Sequence, residues 1–150
     1  IISGFPTETW EDHFATLEVL KQVRYDGAYM FKYSPREGTK AFRMEDDVPE
    51  EVKSKRLQEI IDLQQQISLE KNQDMIGSEE IILIEGFSKK SNEFIAGRTD
   101  TNKTVIVPIN AKIKTSDYIK VKINRATSGT LFGDYLSHIH PEKEGIALTA

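Results

Sequence analysis

The chain has no cysteine among its 150 residues. Disulfides, thiolate metal centres, iron–sulfur ligation and a cysteine nucleophile are therefore excluded from this stretch. It also lacks any apolar run approaching the roughly 20 residues a membrane-spanning helix needs. Its start shows no basic segment followed by an apolar signal core. Both absences point to a cytoplasmic protein with no membrane partner. A large surplus of one charge is missing as well. The formal charge is −4, spread unevenly: residues 1–73 carry 10 Lys and Arg against 14 Asp and Glu, residues 74–137 carry 9 against 8, and residues 138–150 carry 1 against 2. Any affinity of the middle segment for nucleic acid must then come from where its charges sit, not from their total. Serine, histidine and carboxylate residues fall at no spacing that would build a hydrolase site. No metal site is expected either. Glu45-Asp46-Asp47 has no calcium-loop spacing after it and suits a helix start, and His138-x-His140 is a sparse ligand set near the end of the chain.

Hydrophobic content of 38% and charged content of 29% are those of an ordinary globular protein. The hydrophobic pattern changes partway along, which predicts two units. The chain opens on Ile1-Ile2, which reads as the middle of a strand, and runs straight into a Gly4 and Pro6 loop. Thr9 then suits a helix cap with Asp12 three residues on. Trp10, Phe14, Leu17, Leu20 and Val23 recur at spacings of three or four and predict one buried helical face, with His13 at its boundary. After the Asp26-Gly27 turn, Ala28–Tyr33 reads as a second strand. Strand, helix, strand is a βαβ unit with parallel strands, and two strands alone leave open edges through which copies of the chain could associate. Pro49 and the acids at 45–51 start a second helix that runs to about Ile76, with Val52, Leu57, Ile60, Ile61, Leu63, Ile67 and Leu69 as its stripe and Gln64-Gln65-Gln66 as a solvated patch. At about 1.5 Å per residue it spans roughly 40 Å, enough to connect two domains.

Beyond Gly77 the period becomes two. Strands are predicted near Glu79–Gly86, Glu93–Arg98, Thr104–Pro108, Asp117–Arg125 and Thr130–Tyr135, with turns at Ser88–Asn92 and Asp100–Lys103. Five short strands in about 60 residues favour a small closed antiparallel barrel. The fold class is thus α/β plus all-β: 1–46 as a strand and helix region, 47–76 as a connecting helix, 77–136 as the barrel, and 137–150 as a mobile tail. Lys89, Lys90, Arg98, Lys103 and Arg125 could make phosphate contacts on one rim of the barrel, with Phe87 or Phe94 stacking a base. The same residues also suit a solvated surface with turn lysines, and Asn102 suits a turn former.

Three motifs carry a resemblance: Gly4-Phe5-Pro6-Thr7-Glu8-Thr9, then Tyr29-Met30-Phe31-Lys32-Tyr33-Ser34-Pro35-Arg36-Glu37-Gly38-Thr39, and later Gly97-Arg98-Thr99-Asp100-Thr101-Asn102-Lys103. Together, and in this order, they resemble the methylthiotransferase branch of the radical S-adenosylmethionine enzymes over residues 1–136. The wording of Phe31–Arg36 is most similar to the members that act on N6-dimethylallyladenosine beside the tRNA anticodon. Sister members act on threonylcarbamoyl-adenosine or on a ribosomal protein. The resemblance implies that 1–46 are the last two strand and helix units of a TIM-like radical barrel, and that 77–136 are an OB-like, RNA-binding TRAM domain. It also implies a parent transferase with S-adenosylmethionine and two [4Fe-4S] clusters, and the tRNA anticodon arm as partner. No cluster or cofactor is expected on these 150 residues alone, and none of them is expected to be catalytic. By the same resemblance Gly4, Glu8, Phe31 and Tyr33 would line the cofactor, Arg36 and Thr39 would form a substrate loop, and Lys89, Lys90, Phe94, Arg98, Asn102, Lys103 and Arg125 would meet RNA. Arg36 and Thr39 equally suit an exposed turn shaped by Pro35 and Gly38, and Glu8 equally suits the positive start of the helix. Thr7 stands where the family commonly has glycine. A standalone RNA-binding module without chemistry is the competing reading.

Overall fold

The computed structural model describes residues 1–88, 93–110 and 112–140. They divide into two compact units, Ile1–Ser68 and the described residues from Leu69 onward. The first holds strand β1 (Ile2–Ser3), helix α1 (Trp10–Val23), strand β2 (Phe31–Lys32), a 3-10 turn at Ala41–Arg43 and most of helix α2 (Glu50–Gln73), within which the boundary between units falls. β1 and β2 pair in parallel, Ile2 opposite Phe31 and Ser3 opposite Lys32. The β–α–β order read from the sequence is present, with strands of only two residues each.

α1 starts as its first residues dictate. The Thr9 hydroxyl accepts the Asp12 N–H at 3.1 Å and the Asp12 carboxylate accepts the Thr9 N–H at 2.9 Å, so two orphan donors of the first turn are satisfied reciprocally. The Thr9 N–H, foremost, and the Thr9 hydroxyl, which donates to the same carboxylate at 2.8 Å, hold the Asp12 carboxyl below its usual range. The buried face differs from the expected stripe. Leu20 is buried, but Phe14 is 55% exposed and Trp10 and Val23 are exposed too. His13, expected at the boundary, is buried instead, its Nε2 lying 2.7 Å from the Glu59 carboxylate.

The buried face of α2 also departs from its apolar stripe. Within the first unit it consists of Lys53, Arg56, Ile60, Gln64, Ile67 and Ser68, and Asn72 is buried in the last turn. Ile60 and Ile67 pack with Leu20, while each polar member ties down a loop. Lys53 pairs with Asp46 at 2.6 Å, Arg56 with Glu8 at 2.8 Å, Gln64 donates to the Tyr25 carbonyl at 2.7 Å, and Ser68 donates to the Asp26 carbonyl at 2.9 Å. Gln64 is therefore a buried tether and not part of a solvated patch. A polar side chain is tolerated in the interior where hydrogen bonds replace most of its lost hydration, even though Arg56 Nε and Gln64 Oε1 have no partner among the described residues. Hydrophobicity alone therefore did not find this face.

In the second unit, β3 (Glu79–Phe87), β4 (Phe94–Arg98), β5 (Thr104–Pro108), β6 (Tyr118–Ala126) and β7 (Leu131–Ile139) close into a barrel in the order β3-β4-β5-β7-β6. Four contacts are antiparallel. The fifth, β5 with β7, is parallel, with Val105 opposite Leu131 and Ile106 opposite Phe132, so the expected purely antiparallel barrel is corrected at its closing seam. Ile82, Ile84, Ile95, Val105, Val107, Ile119, Val121, Ile123 and Leu131 fill the interior by strand alternation. Gly97 is required on β4 by space: a Cβ there would lie 2.6 Å from the Leu83 carbonyl oxygen. β7 continues to Ile139, with Ile119 opposite His138 and Tyr118 opposite Ile139. Residues 137–139 thus belong to the barrel and not to a tail, while 141–150 lie outside the described residues.

Candidate nucleic-acid interface

β6 supplies the row of side chains on which an extended polyanion could lie. Ile119, Val121 and Ile123 point into the core, so Tyr118, Lys120 and Lys122 point outward. Strict alternation would turn Arg125 inward, where an unpaired guanidinium could not be tolerated. A bulge between Ile123 and Arg125 shifts the register by one, placing Asn124 and Arg125 both outside. Arg125 lands opposite Phe132 on β7, its guanidinium carbon 3.5 Å from the ring centroid. Lys120 makes a long contact with Glu79 at 3.4 Å. Neither Lys122 nor Arg125 has a carboxylate within ion-pair distance among the described residues. Outward residues two apart on a strand are about 6.7 Å apart, of the order of the phosphate repeat of an extended single strand.

The residues expected to meet RNA are distributed over the second unit in different states. Arg98 on β4 is held by Glu85 at 3.0 Å and by the Asn102 side-chain oxygen at 3.0 Å. Asn102 closes the β4–β5 turn with φ of 63°, the left-handed conformation that asparagine tolerates. The Lys103 ammonium donates to Asn72 Oδ1 at 2.8 Å, and the Asn72 amide donates onward to the Thr127 carbonyl at 2.8 Å. Buried Asn72 thereby fixes the last turn of α2 to two turns of the barrel, and Lys103 is part of that clamp. Phe94 is half-buried on the outer face opposite Pro108. Lys89 and Lys90 lie outside the described residues. The structure brings Arg98 and Asn102 together, and Arg125 stands on a different strand pair. Lys120, Lys122 and Phe132 were missed in the sequence; the alternation of Val121 and Ile123 with lysines was the signal available for the first two, and only the bulge reveals Phe132.

At the start of β6, Asp117 accepts the Lys114 N–H at 2.7 Å and faces His138 Nε2 at 3.2 Å, while His138 Nδ1 lies 2.7 Å from the Tyr135 hydroxyl. The Lys114 amide, first, and the His138 contact hold the Asp117 carboxyl below its usual range despite partial burial.

In the first unit the cofactor and substrate candidates surround β1 and β2. Gly4 has φ of 74° and the stem of Lys53 fills the space beside its Cα, where a Cβ would sit 2.3 Å from Lys53 Cγ. The Glu8 carboxylate accepts the Gly4 N–H at 2.9 Å and pairs with Arg56. Thr7, at φ 72°, takes the left-handed conformation that glycine adopts without cost, and its N–H is held by Asp47 at 2.7 Å. The Tyr33 hydroxyl donates to the Ala41 carbonyl at 3.0 Å. The Thr39 hydroxyl donates to the Arg36 carbonyl at 2.8 Å and accepts the Phe42 N–H at 3.2 Å, shaping the turn from which Arg36 extends into solvent. Phe31 is 59% exposed beside Ile2 on the open face of the sheet. Of the cofactor candidates it alone presents an open surface, while the polar groups of Gly4, Glu8 and Tyr33 are engaged internally. These residues do not by themselves compose a S-adenosylmethionine site. Iron–sulfur clusters do not fit either: the chain has no thiolate, and among the described residues no three carboxylate or imidazole groups cluster to hold a metal. No helix among the described residues is long and apolar enough to cross a membrane.

Residues 73–136 match the TRAM domain family. Over 135 residues, 89% of this chain, the sequence is 50% identical to the tRNA-2-methylthio-N(6)-dimethylallyladenosine synthase of Christiangramia forsetii, 28% of which is covered. Equally named proteins of Azobacteroides pseudotrichonymphae and Porphyromonas gingivalis are each 51% identical over the same share of this chain, with 30% and 29% of their lengths covered. The chain thus spans under a third of the length of the curated relatives it matches.

Proposed function

From the premise that residues 73–136 belong to the TRAM family and that the chain is similar over nine-tenths of its length to tRNA methylthiotransferases, we propose that it is a segment of a cytoplasmic radical S-adenosylmethionine enzyme. The parent enzyme adds a methylthio group to C2 of N6-dimethylallyladenosine beside the anticodon. The barrel grips the anticodon arm, and the first unit supplies the closing strand and helix units of a TIM-like barrel wall. S-adenosylmethionine and two [4Fe-4S] clusters supply the radical and sulfur chemistry when bound, with ligands from outside these residues. Phe31, on the open sheet face beside Ile2, is this chain's contribution to the cofactor side. Glu8, Gly4 and Tyr33 fix the loops around it, and Arg36 stands on the adjoining loop toward substrate.

The single observation that carries the RNA role is the outward β6 row ending in the bulge-exposed Arg125 on Phe132. It offers charge without ion-pair competition at Lys122 and Arg125, and a ring that backs a planar guanidinium on which a base can stack. Titration of an anticodon-arm RNA against the chain over a range of salt tests it. Binding should weaken linearly with the logarithm of salt concentration, and Lys122→Ala and Arg125→Ala should each reduce the slope by about one. Salt-independent binding, or none, would remove the RNA role from this barrel. The two-stranded sheet of the first unit also leaves strand edges unpaired among the described residues, which favours self-association of the isolated chain. A monomer at all concentrations on size exclusion would count against that.

A further inference from the structure

One end of the barrel carries a recess. It opens where β3 and β5 finish and β6 begins, with a volume of about 330 Å³. Its floor is the buried pair Ile84 and Ile95 of the barrel core. Its walls are not buried: Phe87 is 65% exposed and Ile109 is 50% exposed, so an aromatic and an aliphatic side chain stand in water around a concave apolar site. Its rim is polar and basic. The Asn110 side-chain oxygen accepts the Lys112 N–H at 3.0 Å, which orients the amide and leaves its NH2 group with no protein acceptor among the described residues. Lys114 lines this rim and is exposed; its charge acts on Asp117, but it has no carboxylate within ion-pair distance among the described residues.

A flat apolar wall, an oriented amide donor and an exposed cation at the mouth are complementary to one kind of ligand: a planar heterocycle with a carbonyl or ring-nitrogen acceptor, carrying a neighbouring anion. The volume lies at the small end of the roughly 300–1,000 Å³ found for small-molecule sites, a size for one ring system and not for a base pair. We propose that this recess takes a single unstacked nucleobase of single-stranded RNA, stacked on Phe87 with its edge toward Asn110 and a neighbouring phosphate on Lys114. The proposal rests on the reading of the barrel as RNA-binding, and it adds a base-reading site to what would otherwise be a surface that reads only backbone.

Two single strands of equal length and charge separate the two ideas: decauridylate and the corresponding fully abasic ribose-phosphate chain, each titrated by fluorescence anisotropy against the 150-residue chain at low salt. Decauridylate is expected to bind about tenfold more tightly than the abasic strand, the usual contribution of one stacked base. Phe87→Ala should bring the ratio near one and leave abasic binding unchanged. Phe87 is mostly exposed, so the variant should keep the wild-type urea midpoint, which verifies folding. Equal affinities for the two strands in the wild-type chain would overturn the base site while leaving backbone binding intact. A preference for decauridylate that survives both Phe87→Ala and Ile109→Ala would place the base elsewhere and overturn it as well. Binding of neither strand would overturn this proposal together with the RNA reading beneath it.

Discussion

The two units solve the same problem, burying an apolar face, in opposite ways. The barrel closes on itself, so each of its five strands has a partner on both sides and nine aliphatic side chains share one interior. The first unit has a two-stranded sheet and a small cluster of Leu20, Ile60 and Ile67, and it leaves Ile2, Phe14, Val19, Val23, Tyr29 and Phe31 exposed. What holds it is a series of polar ties from α2 to its loops. The difference teaches where each unit should be vulnerable: the barrel to changes of volume, the first unit to changes of charge.

The largest expected effect is on the barrel. Gly97→Val drives side-chain atoms into the Leu83 carbonyl and should cost about 3 kcal/mol or more, read as lost amide-exchange protection across β3 and β4. Next is Arg56→Ala in the first unit. Arg56 is 3% exposed, pairs with Glu8 and lies 4.5 Å from the Trp10 ring centroid. Removing it leaves a mostly buried carboxylate without its partner and should cost about 3 kcal/mol, followed by fluorescence of Trp10, the chain's only tryptophan. Val19→Ser, on the exposed face of α1, should change the same signal's midpoint by less than about 0.5 kcal/mol. If Val19→Ser proved as costly as Arg56→Ala, the contrast between polar ties and apolar packing would fail for this unit.

Thr7→Gly sharpens the comparison in the other direction. A β-branched residue held at φ 72° is strained, so glycine should stabilise the first unit by about 1 kcal/mol in urea titration, part of the relief being offset by greater freedom in the unfolded chain. The smallest effect concerns pH. Asp117 has its folded-state pKa depressed below 3.8 by the Lys114 amide and His138, so its contribution is present above the unfolded-state value and is lost as pH falls through the depressed one. With Asp117 about a third exposed, that contribution should be about 0.5 kcal/mol or less. Asp117→Asn should flatten the acid limb of the barrel's stability curve by that amount, and an unchanged limb would show that Asp117 makes no such contribution.

The barrel was legible through a local property, five short β runs bounded by turn residues. On β6 the alternation of Ile119, Val121 and Ile123 with polar residues also marks the inner face, whereas the unbroken aliphatic runs Ile81–Ile84 of β3 and Val105–Val107 of β5 do not. The capping box at Thr9 and Asp12 was legible as another local property. The interface was half legible. Lys120 and Lys122 follow from alternation once the strand is recognised, whereas the outward position of Arg125 depends on a bulge that no residue type announces. Lys103 and Arg98 read as free cations, yet one is held by Asn72, 31 positions earlier, and the other by Glu85 on the neighbouring strand.

By itself, the sequence determined the composition-level exclusions, the order of the elements, the start of α1, the inward face of β6 and the resemblance carried by its three motifs, all of which depend on residues near one another in the chain. The tertiary structure decided the parallel β5–β7 seam, the extension of β7 to Ile139, the polar buried face of α2 and the recess at the barrel end. Each of those is set by which distant backbone or side chain a residue meets. Hydrogen bonds and close packing satisfy a group by proximity in space, and spacing along the chain does not encode that proximity.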